Sequence, residues 1–87
     1  MTNYTINGAA MTDREQAHDE LARALEFPEY YGRNLDALWD LATELVGDVT
    51  LENAAEMLNS LEGYGCKLLE TLYEAAQKNP NMSFRAQ

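Results

Sequence analysis

A chain of 87 residues with 46% hydrophobic side chains is enough for one folded domain, yet one this short buries only roughly two-thirds of its unfolded surface, which argues against a large internal active-site cavity. Fifteen Asp and Glu against six Lys and Arg give a net charge of −9, a field that repels nucleic acid and draws basic surfaces, so direct binding of DNA or RNA is disfavoured. Cys66 is the single cysteine, which excludes an intrachain disulfide and a cysteine-based metal site and suits a reducing cytoplasm; no basic, apolar leader opens the sequence, and no apolar run approaches the roughly 18 residues of a membrane span.

In chain order, residues 3–7 alternate polar and apolar side chains and are rich in β-formers, and Gly8 breaks the run, which predicts a first short strand. Thr12 followed by Glu15 has the capping-box spacing, and Ala17, Leu21, Ala24 and Leu25 recur at helical intervals, predicting a helix over 13–26. His18 lies on the flank of that apolar face, where a packed, hydrogen-bonded imidazole is expected rather than a catalytic or metal-binding one.

The stretch 27–46, FPEYYGRNLDALWDLATELV, is the richest in the chain. Pro28 and Glu29 read as an extended or turn approach, Gly32 supplies backbone freedom, and Asn34 stands where a helix N-cap belongs. Leu35, Leu38, Ala42, Leu45 and Val46 share one face of the helix that follows, and Asp36, Asp40 and Thr43 form a second stripe left for water or a partner. Trp39 falls on the boundary between the stripes, and Tyr30 and Tyr31 lead into the helix start.

Gly47 and Asp48 punctuate, and Val49 to Leu51 predict a second strand. Asn53 with Glu56 resembles another capping box, opening a helix of about two turns with Ala54, Met57, Leu58 and Leu61 on its apolar side. Gly63, Tyr64 and Gly65 predict a turn, and Leu68, Leu69, Leu72, Tyr73 and Ala76 a last helix closed by Asn79 and Pro80. Met82 to Arg85 alternates again as a third strand. Strands separated by helical stretches imply right-handed crossovers and an α/β fold: a small three-stranded parallel sheet packed with three to four helices in a single domain.

Little in the sequence points to catalysis. Asp36 and Asp40 could be read as an acid/base pair, but nothing predicts the burial, cleft or raised pKa such chemistry needs. No phosphate-binding glycine loop, calcium loop or nucleophile elbow occurs, and no cofactor is implied. One alternative is an acidic helical carrier with a prosthetic group on a serine at a helix start, or another adaptor domain; the nearest match, Asn59, Ser60, Leu61, sits at a predicted helix end and lacks the acid. The reading that uses all the features is a polyanion mimic, in which carboxylates take the phosphate positions of a basic enzyme and aromatics fill its base-stacking surface.

The run from Pro28 to Asp40, PEYYGRNLDALWD, closely resembles the signature of the barstar family, intracellular inhibitors of bacterial ribonucleases of the barnase type. A weaker similarity covers the rest of the chain at Ile6, Asn7 and Gly8, at His18, and at Leu51 and Glu52. The resemblance implies a three-stranded parallel sheet with helices and a stoichiometric inhibitor, monomeric when free, whose central helix and preceding loop plug the active site of a basic extracellular or guanyl-specific ribonuclease in a 1:1 complex. It further implies that Asp40 imitates a substrate phosphate, that Asp36 meets a second basic cluster, and that Tyr30 and Tyr31 pack on the enzyme, with Gly32, Asn34, Trp39 and Thr43 completing the contact. Glu74 matches an acid at the edge of the family's interface. Two departures fall beyond Thr43: Leu45 stands where the best-known member has a tryptophan, and Glu44 replaces a glycine.

Overall fold

The computed structural model describes residues 2–87. Three strands, β1 (Asn3–Asn7), β2 (Gly47–Glu52) and β3 (Met82–Ala86), form one sheet in the order β1-β2-β3, all parallel. Four helices connect them: α1 (Arg14–Leu25), α2 (Leu35–Ala42), α3 (Ala54–Leu61) and α4 (Gly63–Lys78), with a 3-10 turn at Gly8–Ala10 after β1. This is the α/β architecture expected from the alternation of strand and helix patterns.

Register places Ile6 beside Leu51 and Val49 beside Phe84, so one face of the sheet carries Ile6, Val49, Leu51 and Met82 into the core. Leu21 and Leu25 from α1, Leu38 from α2, Met57 from α3 and Leu68 and Leu72 from α4 meet them there, all fully or almost fully buried. The opposite sheet face is polar, with Asn3, Thr5, Ser83 and Arg85 exposed. Two-residue alternation therefore decides which side receives the helices.

Several local expectations are revised. The cap of α1 is Asp13, not Thr12: its carboxylate accepts the Gln16 N–H at 2.8 Å, the usual reach from an N-cap to the third helical residue. Asn53 does not cap α3 with its side chain; it sits left-handed at φ 57° and ψ 41°, and its amide donates to Asn7 Oδ1 at 3.0 Å. Gly63, Tyr64 and Gly65 form the first turn of α4 rather than a loop, and the chain breaks one residue earlier at Glu62, with φ 54° and ψ −127°. Gly65 is small for packing: a Cβ there would lie 3.2 Å from Leu61 Cβ, tighter than ordinary contact, so α3 would have to give way slightly to accept a larger residue.

α2 ends at Ala42, four residues before the apolar pattern stops, because its last carbonyls are claimed otherwise. Thr43 Oγ1 donates to the Trp39 and Asp40 carbonyls, and the next two amides make tighter i→i−3 bonds to Leu41 and Ala42. Leu45 is half-buried, but Val46 lies outside the helix and is 57% exposed, so it is not part of the core stripe.

Candidate partner-binding face

α1 closes on a left-handed Glu26 with φ 57°, and the Phe27 N–H returns to the Ala22 carbonyl at 3.0 Å, turning the chain toward the loop before α2. The two adjacent tyrosines of that loop part ways. Tyr30 is 81% exposed at the surface, whereas Tyr31 is 6% exposed, with its ring centroid 4.7 Å from that of Phe27. Tyr31 therefore supports the loop from beneath, while Tyr30 alone presents its ring at the surface. Gly32, Arg33 and Asn34 are exposed.

Beneath the loop the Tyr31 hydroxyl lies 2.6 Å from His18 Nδ1, and the Tyr64 hydroxyl from α4 lies 2.7 Å from His18 Nε2. A neutral imidazole carries one N–H, so one phenol accepts from His18 and the other donates to it. Burial, and then the charge of Arg33, lower the His18 pKa below its ordinary value; burial raises both phenols. The histidine matched from sequence is thus a structural link among α1, the loop and α4.

Asn34 caps α2 as its position predicts: Oδ1 accepts the Ala37 N–H at 2.7 Å, and Nδ2 donates to the Gly32 carbonyl at 3.2 Å. With the cap fixed, Leu38 and Ala42 point into the core, and Asp36 and Asp40, one turn apart, point out. Both carboxylates are exposed, and among the described residues neither forms an ion pair. Trp39 is half-buried against the core edge, the boundary position its spacing implies. Thr43 is half-buried, and its hydroxyl proton is spent on the helix carbonyls. Glu74 is exposed on α4, the helix that packs against α2.

This face offers exposed carboxylates and an exposed ring rather than a described cleft. Shallow hollows occur beside Asn3, Asp48 and Arg85 on the bare side of the sheet and beside Glu52 and Glu56, and neither is lined by a residue of α2. Among the described residues no group of three His, Cys, Asp or Glu comes together, and no helix is long and apolar enough to cross a membrane. Ser60 is the penultimate residue of α3, at the helix end its sequence position predicts.

Three residues outside the expected site shape the face: Arg33, which reaches back to α1; Tyr64, which completes the histidine link; and Asn79, expected only to close α4, whose amide also closes the end of α2. Only Asn79 had a signal, as the polar residue before Pro80. The pairing of Tyr64 with His18 spans 46 positions and leaves no local trace.

Among known proteins the chain is 38% identical over 81 residues, 90% of its own length and 89% of the other's, to the candidate ribonuclease inhibitor YrdF of Bacillus subtilis (strain 168). A family model described as Barstar (barnase inhibitor), a family of inhibitors and not of enzymes, matches residues 1–87. With the parallel three-stranded sheet, the capped acidic helix and the tyrosine-bearing loop already in place, that match shows that this chain belongs to the barstar family.

Proposed function

We propose that the protein is a ribonuclease inhibitor that blocks the active site of a basic, barnase-type bacterial ribonuclease as a 1:1 complex. The observation that carries this reading is the pair Asp36 and Asp40, exposed one turn apart on a rigidly capped helix without cations of their own. Asp40 takes the place of a substrate phosphate among the enzyme's cationic groups, and Asp36 meets a second basic cluster. Tyr30, with Gly32 and Asn34, packs on the enzyme from the loop; Trp39, Thr43 and Glu74 extend the contact, and Tyr31 acts by holding the loop in shape. The free protein is a monomer, and the lone, exposed Cys66 suits a cytoplasmic location.

A net charge of −9 accelerates the encounter with a cationic enzyme, while desolvated acid–cation pairs slow its release, a behaviour for which barnase and barstar are themselves a reference case. No turnover or cofactor enters. The test is to titrate the protein into a panel of basic microbial ribonucleases, barnase among them, and to follow RNA cleavage. Activity of at least one enzyme falls linearly to an end point at equal concentrations; full activity of every enzyme in excess protein refutes the proposal.

A further inference from the structure

Arg33 is the only cation between Phe27 and Val46, and it sits in the middle of the surface assigned to a basic partner. It also occupies a left-handed backbone position, φ 57°, where glycine would be relaxed and a side chain with a Cβ is strained. Both features work against an arginine unless its side chain has a task. Its guanidinium donates to the Glu15 carbonyl at 3.0 Å and pairs with Asp19 Oδ1 at 2.6 Å, two points one turn apart on α1. The two side chains are 41% and 51% exposed, so the ion pair is a surface one and contributes little to global stability.

Its geometry is nevertheless specific. The loop is fastened to α1 twice, on the inside by Tyr31 to His18 and on the outside by Arg33 to Asp19 and Glu15, with Gly32 between the two points. Tyr30 and Asn34 stand just before and just after these fasteners. Asp19 at the same time neutralises a charge that would otherwise face the partner's own cations.

We propose that Arg33 is a positioning residue for inhibition, clamping the Tyr30-bearing loop onto α1 through Asp19 and the Glu15 carbonyl so that the binding surface is preset before the ribonuclease arrives. The effect on binding rests on the function proposed above; the clamp itself does not. Presetting lowers the ordering cost of association and appears chiefly as slower release.

The experiment compares the parent protein, Arg33→Ala, Asp19→Asn and the double variant in two measurements. Amide hydrogen exchange on the free proteins reads the clamp: the Tyr31 N–H, bonded to the Pro28 carbonyl at 3.0 Å, exchanges faster in both single variants. Stopped-flow binding to catalytically inactive barnase reads its consequence. Arg33→Ala removes a cation, so association is no slower while dissociation rises roughly tenfold. Asp19→Asn unmasks the cation, so association slows and dissociation rises, and in the double variant the second change adds nothing further to dissociation.

Unchanged exchange at Tyr31 in Arg33→Ala overturns the clamp whatever the ribonuclease. Faster dissociation in Arg33→Ala without any in Asp19→Asn means that Arg33 touches the enzyme itself, and the positioning role is then wrong. A parent protein that inhibits no ribonuclease overturns the proposed function and leaves the exchange measurement to decide the clamp.

Discussion

The amide of Asn79 donates to two carbonyl oxygens across the helix interface, Ala42 at 3.1 Å and Leu45 at 2.7 Å, so the residue that caps α4 also closes α2. Its Oδ1 accepts the Asn81 N–H at 3.0 Å, and the residue is 5% exposed. The C-terminal end of the acidic helix is thereby set by a residue far along the chain. Asn79→Ala leaves the Leu45 carbonyl without its donor, while the Ala42 carbonyl keeps the Leu45 N–H, and lowers unfolding stability by about 1–3 kcal/mol, read from urea denaturation. Stability unchanged within error would remove Asn79 from this role.

Asp36 and Asp40 stand at opposite ends of the α2 macrodipole. Asp36 lies in the first turn, where a negative charge is favoured, and Asp40 is two residues from the end, where it is not, with the Asp36 carboxylate one turn away. Asp40→Asn therefore stabilises the free protein by roughly 0.3–1 kcal/mol, and Asp36→Asn destabilises it by less, because the lost dipole interaction is partly offset by relief of the same repulsion. Thermal unfolding at low ionic strength checks both signs. Equal shifts in one direction would contradict the dipole argument.

His18 gives stability a pH dependence of definite sign. Its folded-state pKa lies below the ordinary 6.5, through burial first and the Arg33 charge second, with Asp19 opposing. The unfolded chain then binds the proton more readily, so stability is full above about 6.5 and declines as pH falls toward the folded-state value. Arg14 lies 4.2 Å from the centre of the Tyr64 ring and opposes the rise of that phenol's pKa. Glu20 contributes a separate, more acidic stage. The Arg23 hydrogen bond holds its carboxyl below the usual value of 4.5, helped by the Asn7 N–H, so its contribution is present above 4.5 and lost as pH falls through the lowered value. Urea midpoints between pH 8 and 3, as an assay range of roughly two stages, resolve both; His18→Gln removes the upper stage alone.

Glu62 sits at φ 54° and ψ −127°, a region that suits only glycine, and its side chain caps neither neighbouring helix. Relief of that strain, typically about 1–3 kcal/mol, exceeds the roughly 0.4–1 kcal/mol of added chain entropy, so Glu62→Gly stabilises the protein by about 1 kcal/mol. A lowered melting temperature would show that the carboxylate has a partner in solution.

The fold was legible where local chemistry and periodicity agreed. Asn34 before a clean apolar stripe announced α2, and alternation in 3–7 and 82–85 announced the outer strands. It was not legible where one residue type serves two purposes. Asn53 has the same cap spacing as Asn34, but asparagine tolerates left-handed backbone and its amide found Asn7. Gly63 and Gly65 looked like a turn because glycine's use in close helix packing, which Gly65 shows, has no sequence signature of its own. The outward acids Asp36 and Asp40 followed from spacing. The split between Tyr30 and Tyr31 depended on His18, and nothing between positions 18 and 31 states that they meet.

The most direct test of the account is the dissociation constant of the Asp40→Ala variant for an inhibited ribonuclease, beside that of the parent. Removing this carboxylate leaves the enzyme's buried cations unpaired, so binding weakens by at least about 30-fold, the general cost of deleting one member of a buried ion pair and one to which barnase and barstar themselves contribute. Unfolding stability, measured on the same samples, does not fall. A variant that binds as tightly as the parent would contradict the assignment of Asp40 as the phosphate mimic.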